Sequence, residues 1–198
     1  MTLLILGLVL FLGVHSARVF AEGWRGRFIA QRGEMAWKGL YAVLSIAGFV
    51  LIVWGYGLAR QQPAVLWAAP TWTRHLAALL TLPAFVLLVA AYVPGNAIKA
   101  RLKHPMVLSV KLWALAHLLA NNTLADVLLF GGFLVWAVFS FRAARARDRF
   151  NGTVPAPGRA LPTAVTVLAG LAAWGFFAFW AHAAWIGVKP FGGAMVAG

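Results

Sequence analysis

Six runs of about twenty mostly apolar residues, at 2–20, 39–59, 75–97, 105–122, 124–141 and 163–188, leave little chain outside them. A helix rises 1.5 Å per residue, so a run of this length spans the roughly 30 Å hydrocarbon core of a bilayer. No soluble domain fits in the short connections. The expected fold is all-α: a polytopic helical membrane protein with about six transmembrane helices in one bundle over residues 1–188, and a short C-terminal tail at 189–198. Composition agrees, since 63% of the residues are hydrophobic, 11% are charged and the mean hydropathy is +0.84. The first run lacks a basic leader, and HSARVF is followed by no convincing cleavage site, so it is expected to remain as a helix. Pro83 and Pro94-Gly95-Asn96 predict a kink or an early end in the third run. Only Asn121-Asn122-Thr123 separates the fourth and fifth runs, which predicts a tight antiparallel hairpin.

Orientation follows from the basic residues. Thirteen of the seventeen Lys and Arg lie in the connections after runs one, three and five: 18–38, 99–103 and 142–159. The opposite side holds Arg60, Arg74 and Lys189, while Lys111 lies inside a run. The positive-inside rule then places both termini on the side away from the cytoplasm, with the basic loops facing it. Trp24 and Trp37 on one side, with Trp67, Trp72 and Trp185 on the other, fit interfacial aromatic belts. In EGWRGRFIAQRGEMAWK, helical spacing of Trp24, Phe28 and Met35 predicts a segment lying along the membrane surface. The net charge of +13 is spread through these short loops, where anionic lipid headgroups account for it, so no nucleic-acid partner is expected.

The same composition removes several chemistries. Without cysteine there is no disulfide, thiolate-ligated haem, CxxCH attachment, iron–sulfur cluster or cysteine nucleophile. Four acidic residues, Glu22, Glu34, Asp126 and Asp148, are too few for a carboxylate metal cage. What remains is histidine. An imidazole inside a membrane either closes an interhelical hydrogen bond or ligates a metal while its second nitrogen is held by an acceptor.

His15 lies in FLGVHSARVF, with Arg18, Val19 and Glu22 continuing its helical face. In one reading Arg18 and Glu22 pair and His15 caps them; in the other His15 binds a haem iron and Arg18 holds a propionate. His117 lies in LWALAHLLANN, with Asn121 one turn on. It forms either a His–Asn stitch between helices or a second axial ligand, and two such ligands suit low-spin haem b. Lys111 sits about 10 Å into its run, deep enough to need an acidic partner or an anionic group such as a propionate, unless it snorkels to the interface. His104 shares its helical face in this reading, and belongs to a basic cluster with Lys99, Arg101 and Lys103 that anchors the cytoplasmic interface.

Taken together, HSARVF, KHPM, KLWALAHLLANN and DVLLFGGFLVWA resemble the NnrU family of bacterial membrane proteins over essentially the whole chain to about residue 188. That resemblance implies a link to denitrification and nitric oxide metabolism. The family is similar to the plant ζ-carotene isomerase, a haem b membrane enzyme whose iron is held by histidines in an HS motif and a WxxAH motif. The matching positions are His15 and His117. A haem-dependent isomerase or redox protein acting on a hydrophobic small molecule is thereby implied. The isomerase carries a cysteine three residues before its second histidine; Ala114 stands here, so ligand exchange through that thiolate has no counterpart. Two other readings stay open: a non-catalytic assembly or regulatory protein, and a membrane methyltransferase, since KHP resembles the RHP of isoprenylcysteine methyltransferases. No downstream Arg/Glu pair suits a methyl donor.

Depth bears on the axial pair. Entering from outside at residue 2, His15 lies about 20 Å in, whereas His117 lies about 20 Å from the opposite surface, a mismatch of roughly 10 Å. His75 and His182 share the outer half with His117 and compete with His15, whose priority rests on the motif.

Overall fold

In the computed structural model, which describes residues 1–191, the regular structure is helical, with the longest non-helical connections at 60–71 and 151–159. The helices are α1 (Thr2–His15), α2 (Ala17–Phe20), α3 (Glu22–Arg32), α4 (Glu34–Ala59), α5 (Trp72–Tyr92), α6 (Ala97–Leu102), α7 (Pro105–Ala120), α8 (Leu124–Phe150), α9 (Ala160–Phe176) and α10 (His182–Ile186). A π-helical turn, Phe177–Ala181, joins the last two. Four stretches are long and apolar enough to cross a membrane: Glu34–Ala59, Trp72–Tyr92, Leu124–Phe150 and Ala160–Ile186. α1 and α7 are apolar but shorter, at 14 and 16 residues. The chain is a polytopic, multi-pass helical membrane protein. Its large apolar side chains face outward, as with Val43, Ile46 and Val53, while ten of the seventeen buried hydrophobic residues described are alanine. Lipid offers no hydrophobic incentive to bury a leucine, so small residues that let backbones approach take the contacts.

The chain divides into two compact units, Met1–Ala68 with Asn121–Asp148, and Ala69–Ala120 with the chain from Arg149 onward. The Asn121-Asn122-Thr123 connection, expected as a hairpin turn, is where the chain passes from the second unit to the first.

In the first unit α1 lies on α4 along a glycine seam. A Cβ on Gly7 would stand 2.6 Å from the Ile52 nitrogen, one on Gly48 would stand 2.8 Å from the Phe11 nitrogen, and one on Gly55 would strike the backbone of Leu4. Gly48, Ile52, Gly55 and Ala59 form one buried stripe at three- and four-residue spacing. α8 starts with a capping box: Asp126 Oδ2 accepts from the Thr123 amide at 3.0 Å, and Thr123 Oγ1 accepts from the Asp126 amide at 3.3 Å. It then runs to Phe150, well past residue 141. Arginine and alanine in FRAARARDRF favour helix as strongly as the apolar residues before them, and the stop comes only at Asn151-Gly152, with Gly152 at φ 61°.

The segment after Ala21 differs from its expected form. Gly33, at φ 86°, separates α3 from α4, so Met35 falls on another helix and does not continue the Trp24–Phe28 face. Trp37 replaces it, packing edge-on against Trp24 and Phe28 at 5.7 and 5.8 Å. Trp37 is thereby 7% exposed, whereas Trp24, Trp67, Trp72 and Trp185 are exposed.

In the second unit α5 carries α7 and α9. Its helix passes through Pro83 and ends at Tyr92, before Pro94. Gly95 turns the chain at φ 72°, and the fully buried Asn96 closes both helix ends: its amide donates to the carbonyls of Ala90 and Val93, and its Oδ1 accepts from the Lys99 amide at 2.7 Å. Thr163 Oγ1 accepts from the Ala97 amide at 2.9 Å, tying the same turn to α9.

Candidate functional site

His15 is the last residue of α1 and is half-buried. Its Nδ1 lies 2.7 Å from the Phe11 carbonyl oxygen, which can only accept; Nδ1 therefore carries the proton and Nε2 the lone pair. Three helices hold the ring. Phe11 stacks on it at 4.1 Å, Tyr41 from α4 approaches to 4.9 Å, and Trp136 from α8 meets it edge-on at 6.1 Å and 84°. α1 and α8 run in the same sense here, since Phe11 faces Phe133, His15 faces Trp136, Phe20 faces Phe139, and Arg147 donates to the Arg18 carbonyl at 3.1 Å. Two buried polar atoms on this face of α8, Trp136 Nε1 and Ser140 Oγ, have no hydrogen-bond partner among the described residues.

Arg18 lies just beyond, with 64% of its side chain exposed and its Nε 4.0 Å from Glu22 Oε2. Glu22 also accepts from Arg25 at 3.1 Å. Such exposed pairs contribute under about 1 kcal/mol, which leaves Arg18 free to re-pair with little loss.

His117 repeats the local design of His15. Its Nδ1 lies 2.8 Å from the carbonyl of Trp113, one turn back, and the Trp113 ring packs 5.2 Å away. Both sites are an aromatic followed four residues later by histidine, FLGVH and WALAH, in which the aromatic supplies a carbonyl to one nitrogen and a ring to the imidazole face. That spacing was readable in the sequence as a joint feature of the two histidines. Ala114, three residues before His117, is fully buried. Lys111 is half-buried in α7, six residues before His117 and so about 120° around the helix from it.

His104 does not lie in α7. It precedes Pro105 and contributes its carbonyl, which accepts from the Leu108 amide at 3.3 Å, so the shared helical face expected for His104 and Lys111 is replaced by a cap. His75 is exposed in the first turn of α5. His182 follows the π turn, donates from Nδ1 to the Val188 carbonyl at 2.7 Å and stands edge-on to Phe177 at 5.8 Å. His15 thus belongs to the first unit, and His75, His104, Lys111, His117 and His182 to the second.

Among the described residues no three His, Asp or Glu side chains converge as a metal cluster. Haem asks less of a protein, because the porphyrin supplies the equatorial nitrogens and only axial donors are needed. Imidazoles whose Nδ1 proton is already committed to a carbonyl, leaving Nε2 as donor, are the arrangement in which histidine ligates metals. His15 and His117 fit that requirement.

A second polar centre was not singled out from the sequence. Asp126, only 6% exposed, accepts from the Tyr56 hydroxyl at 2.6 Å and from Thr123 Oγ1 at 2.6 Å. TLAD before an apolar run is its sequence signal. Tyr56→Phe removes one donor from this buried carboxylate and is expected to lower stability by about 2 kcal/mol, seen as a lower melting temperature in detergent.

The sequence profile of the family described as NnrU protein matches residues 3–190. No curated protein matches the chain. No solved structure matches it.

Proposed function

The chain belongs to the NnrU family, and from that premise we propose that it is a haem b-binding protein of the bacterial inner membrane, with His15 and His117 as axial ligands. The observation that carries the proposal is the matched anchoring of the two imidazoles, each with Nδ1 on the carbonyl of an aromatic one turn earlier, at 2.7 and 2.8 Å. Such bonds from Nδ1 to a backbone carbonyl fix the tautomer and make Nε2 the better donor. Arg18 and Lys111 are the cations we assign to the haem propionates. Bound haem would supply a one-electron couple and a Lewis-acidic iron. The aromatic rings around His15 exclude water and hold the imidazole plane. Ala114 offers no thiolate to replace His117, so the ligand exchange of the plant isomerase is not part of the proposal. Its setting, by family resemblance, is denitrification and nitric oxide metabolism, with a hydrophobic small molecule as the class of substrate.

The test is the pyridine haemochrome of detergent-purified protein from haem-replete cells. We expect haem b in near-stoichiometric amount; colourless protein overturns the proposal.

We also propose six spans, counting α1 with α2 and α7 as crossings although α1 and α7 alone extend only about 21 and 24 Å. Locally thinned lipid and flanking basic side chains accommodate such short helices. Reporter fusions after Arg32, Arg101 and Arg149 are expected to read cytoplasm, and fusions after Gln62 and at the C-terminus periplasm. A cytoplasmic C-terminus overturns the six-span topology.

A further inference from the structure

We propose that Trp136 and Ser140 are the hydrogen-bond donors for a carboxylate of the group that His15 holds, so that this face of α8 is a propionate seat; the inference rests on the haem reading above. Trp136 touches the His15 ring edge-on at 6.1 Å, and its indole Nε1 is buried without a partner among the described residues. Ser140 stands one turn further along α8, on the same face, and its hydroxyl is buried and unpartnered too. A helical serine ordinarily satisfies itself on the carbonyl four residues back. Ser140 does not.

Position gives the two donors a direction. The sequence of contacts from Phe133 on Phe11, through Trp136 on His15, to Phe139 on Phe20 shows that residue 140 lies past the level of His15, at the end of this face that carries Arg18. Trp136, Ser140 and Arg18 therefore form a polar line leading from the imidazole toward the exposed, basic end of the unit. In an apolar membrane interior an unpaired N–H or O–H is costly, and two of them on one line from a candidate axial ligand call for an acceptor. The acceptor that fits is a carboxylate: an indole N–H and a hydroxyl can both donate to its oxygens, and Arg18 can leave its 4.0 Å contact with Glu22 to meet its charge.

The test compares haemin with haemin dimethyl ester, in which the propionates are capped, as ligands for purified apoprotein. Binding is followed by the Soret absorbance and by the reduction potential. Wild-type protein is expected to prefer haemin by roughly tenfold to a hundredfold, the value of charge-assisted hydrogen bonds. Trp136→Phe keeps the ring but removes the donor. Together with Ser140→Ala it should shrink the preference to a few fold, and Ser140→Ala alone should give a smaller loss in the same direction. If wild type and the double variant discriminate equally between haemin and its ester, the propionate seat is wrong while haem binding stands. Should wild type bind neither compound, the haem reading and the seat fall together.

Discussion

Replacing His15 by alanine is expected to abolish the low-spin spectrum of the haem-loaded protein, and replacing His117 is expected to do the same. Each imidazole is held through Nδ1, and in the proposed site it would donate through Nε2, so removing one would leave iron with a single strong axial ligand and shift it toward high spin. The neighbours of His15 make this a sharp test. Phe11 and Trp136 carry no group to replace the ligand, and Tyr41 could offer only a phenolate, which leaves ferric haem high-spin. His104→Ala should leave the spectrum intact, because that residue contributes its backbone carbonyl to the start of α7. His75→Ala and His182→Ala are the decisive controls. His182 shares the Nδ1–carbonyl anchor, so loss of the low-spin signal in His182→Ala with retention in His15→Ala would transfer the ligand role to His182.

The second large effect concerns the fold. Gly55→Leu would drive a side chain into the Leu4 backbone, where no rotamer of the new residue avoids the collision because its first carbon already clashes. Gly48 and Gly7 meet the opposing backbone in the same way, so α1 cannot slide to relieve one contact without closing another. The expected cost is at least about 3 kcal/mol, or a melting temperature lower by roughly 6–12 °C in detergent. Gly57→Ala is the matched control. Outside its own helix backbone, no atom of the described residues lies within 4 Å of its Cβ position, and alanine favours helix over glycine by up to about 1 kcal/mol. Equal stability of Gly55→Leu and Gly57→Ala would contradict the glycine seam.

Both predictions bear on what the sequence could disclose. The four long spans were legible, because twenty apolar residues have few alternatives to a membrane helix. Their ends were less so. Hydropathy falls at Arg142 while helix propensity does not, so α8 continues through its arginines to Phe150. Gly33 broke a helical pattern that linked Trp24, Phe28 and Met35, and only a positive φ, invisible to spacing, decided it. Depth in the sequence suggests an interfacial Trp37 but says nothing of its packing against Trp24 and Phe28. The division of the chain into two units has no mark in composition, because Asn121-Asn122-Thr123 suits a turn between neighbours as well as a crossing from one unit to the other.

At the candidate site the histidines were legible as the one reactive residue type present, and the resemblance ranked His15 and His117 first. Their shared local design, an aromatic four residues earlier, was present in FLGVH and WALAH but becomes meaningful only when the Nδ1 bonds are seen. Trp136 and Ser140 could not be found from the sequence at all. A tryptophan and a serine in an apolar run read as filler until burial shows their polar atoms without partners. Of the two partners the sequence offers Arg18, the structure shows Glu22, in an exposed contact at 4.0 Å.

Low-temperature electron paramagnetic resonance of the purified ferric protein tests the central claim most directly, since it reports the axial ligands of the iron without requiring a substrate. The account predicts a low-spin ferric signal of bis-imidazole type in wild type, replaced by a high-spin signal in both His15→Ala and His117→Ala. A high-spin signal in wild type, or no haem iron signal in protein from haem-replete cells, would contradict it.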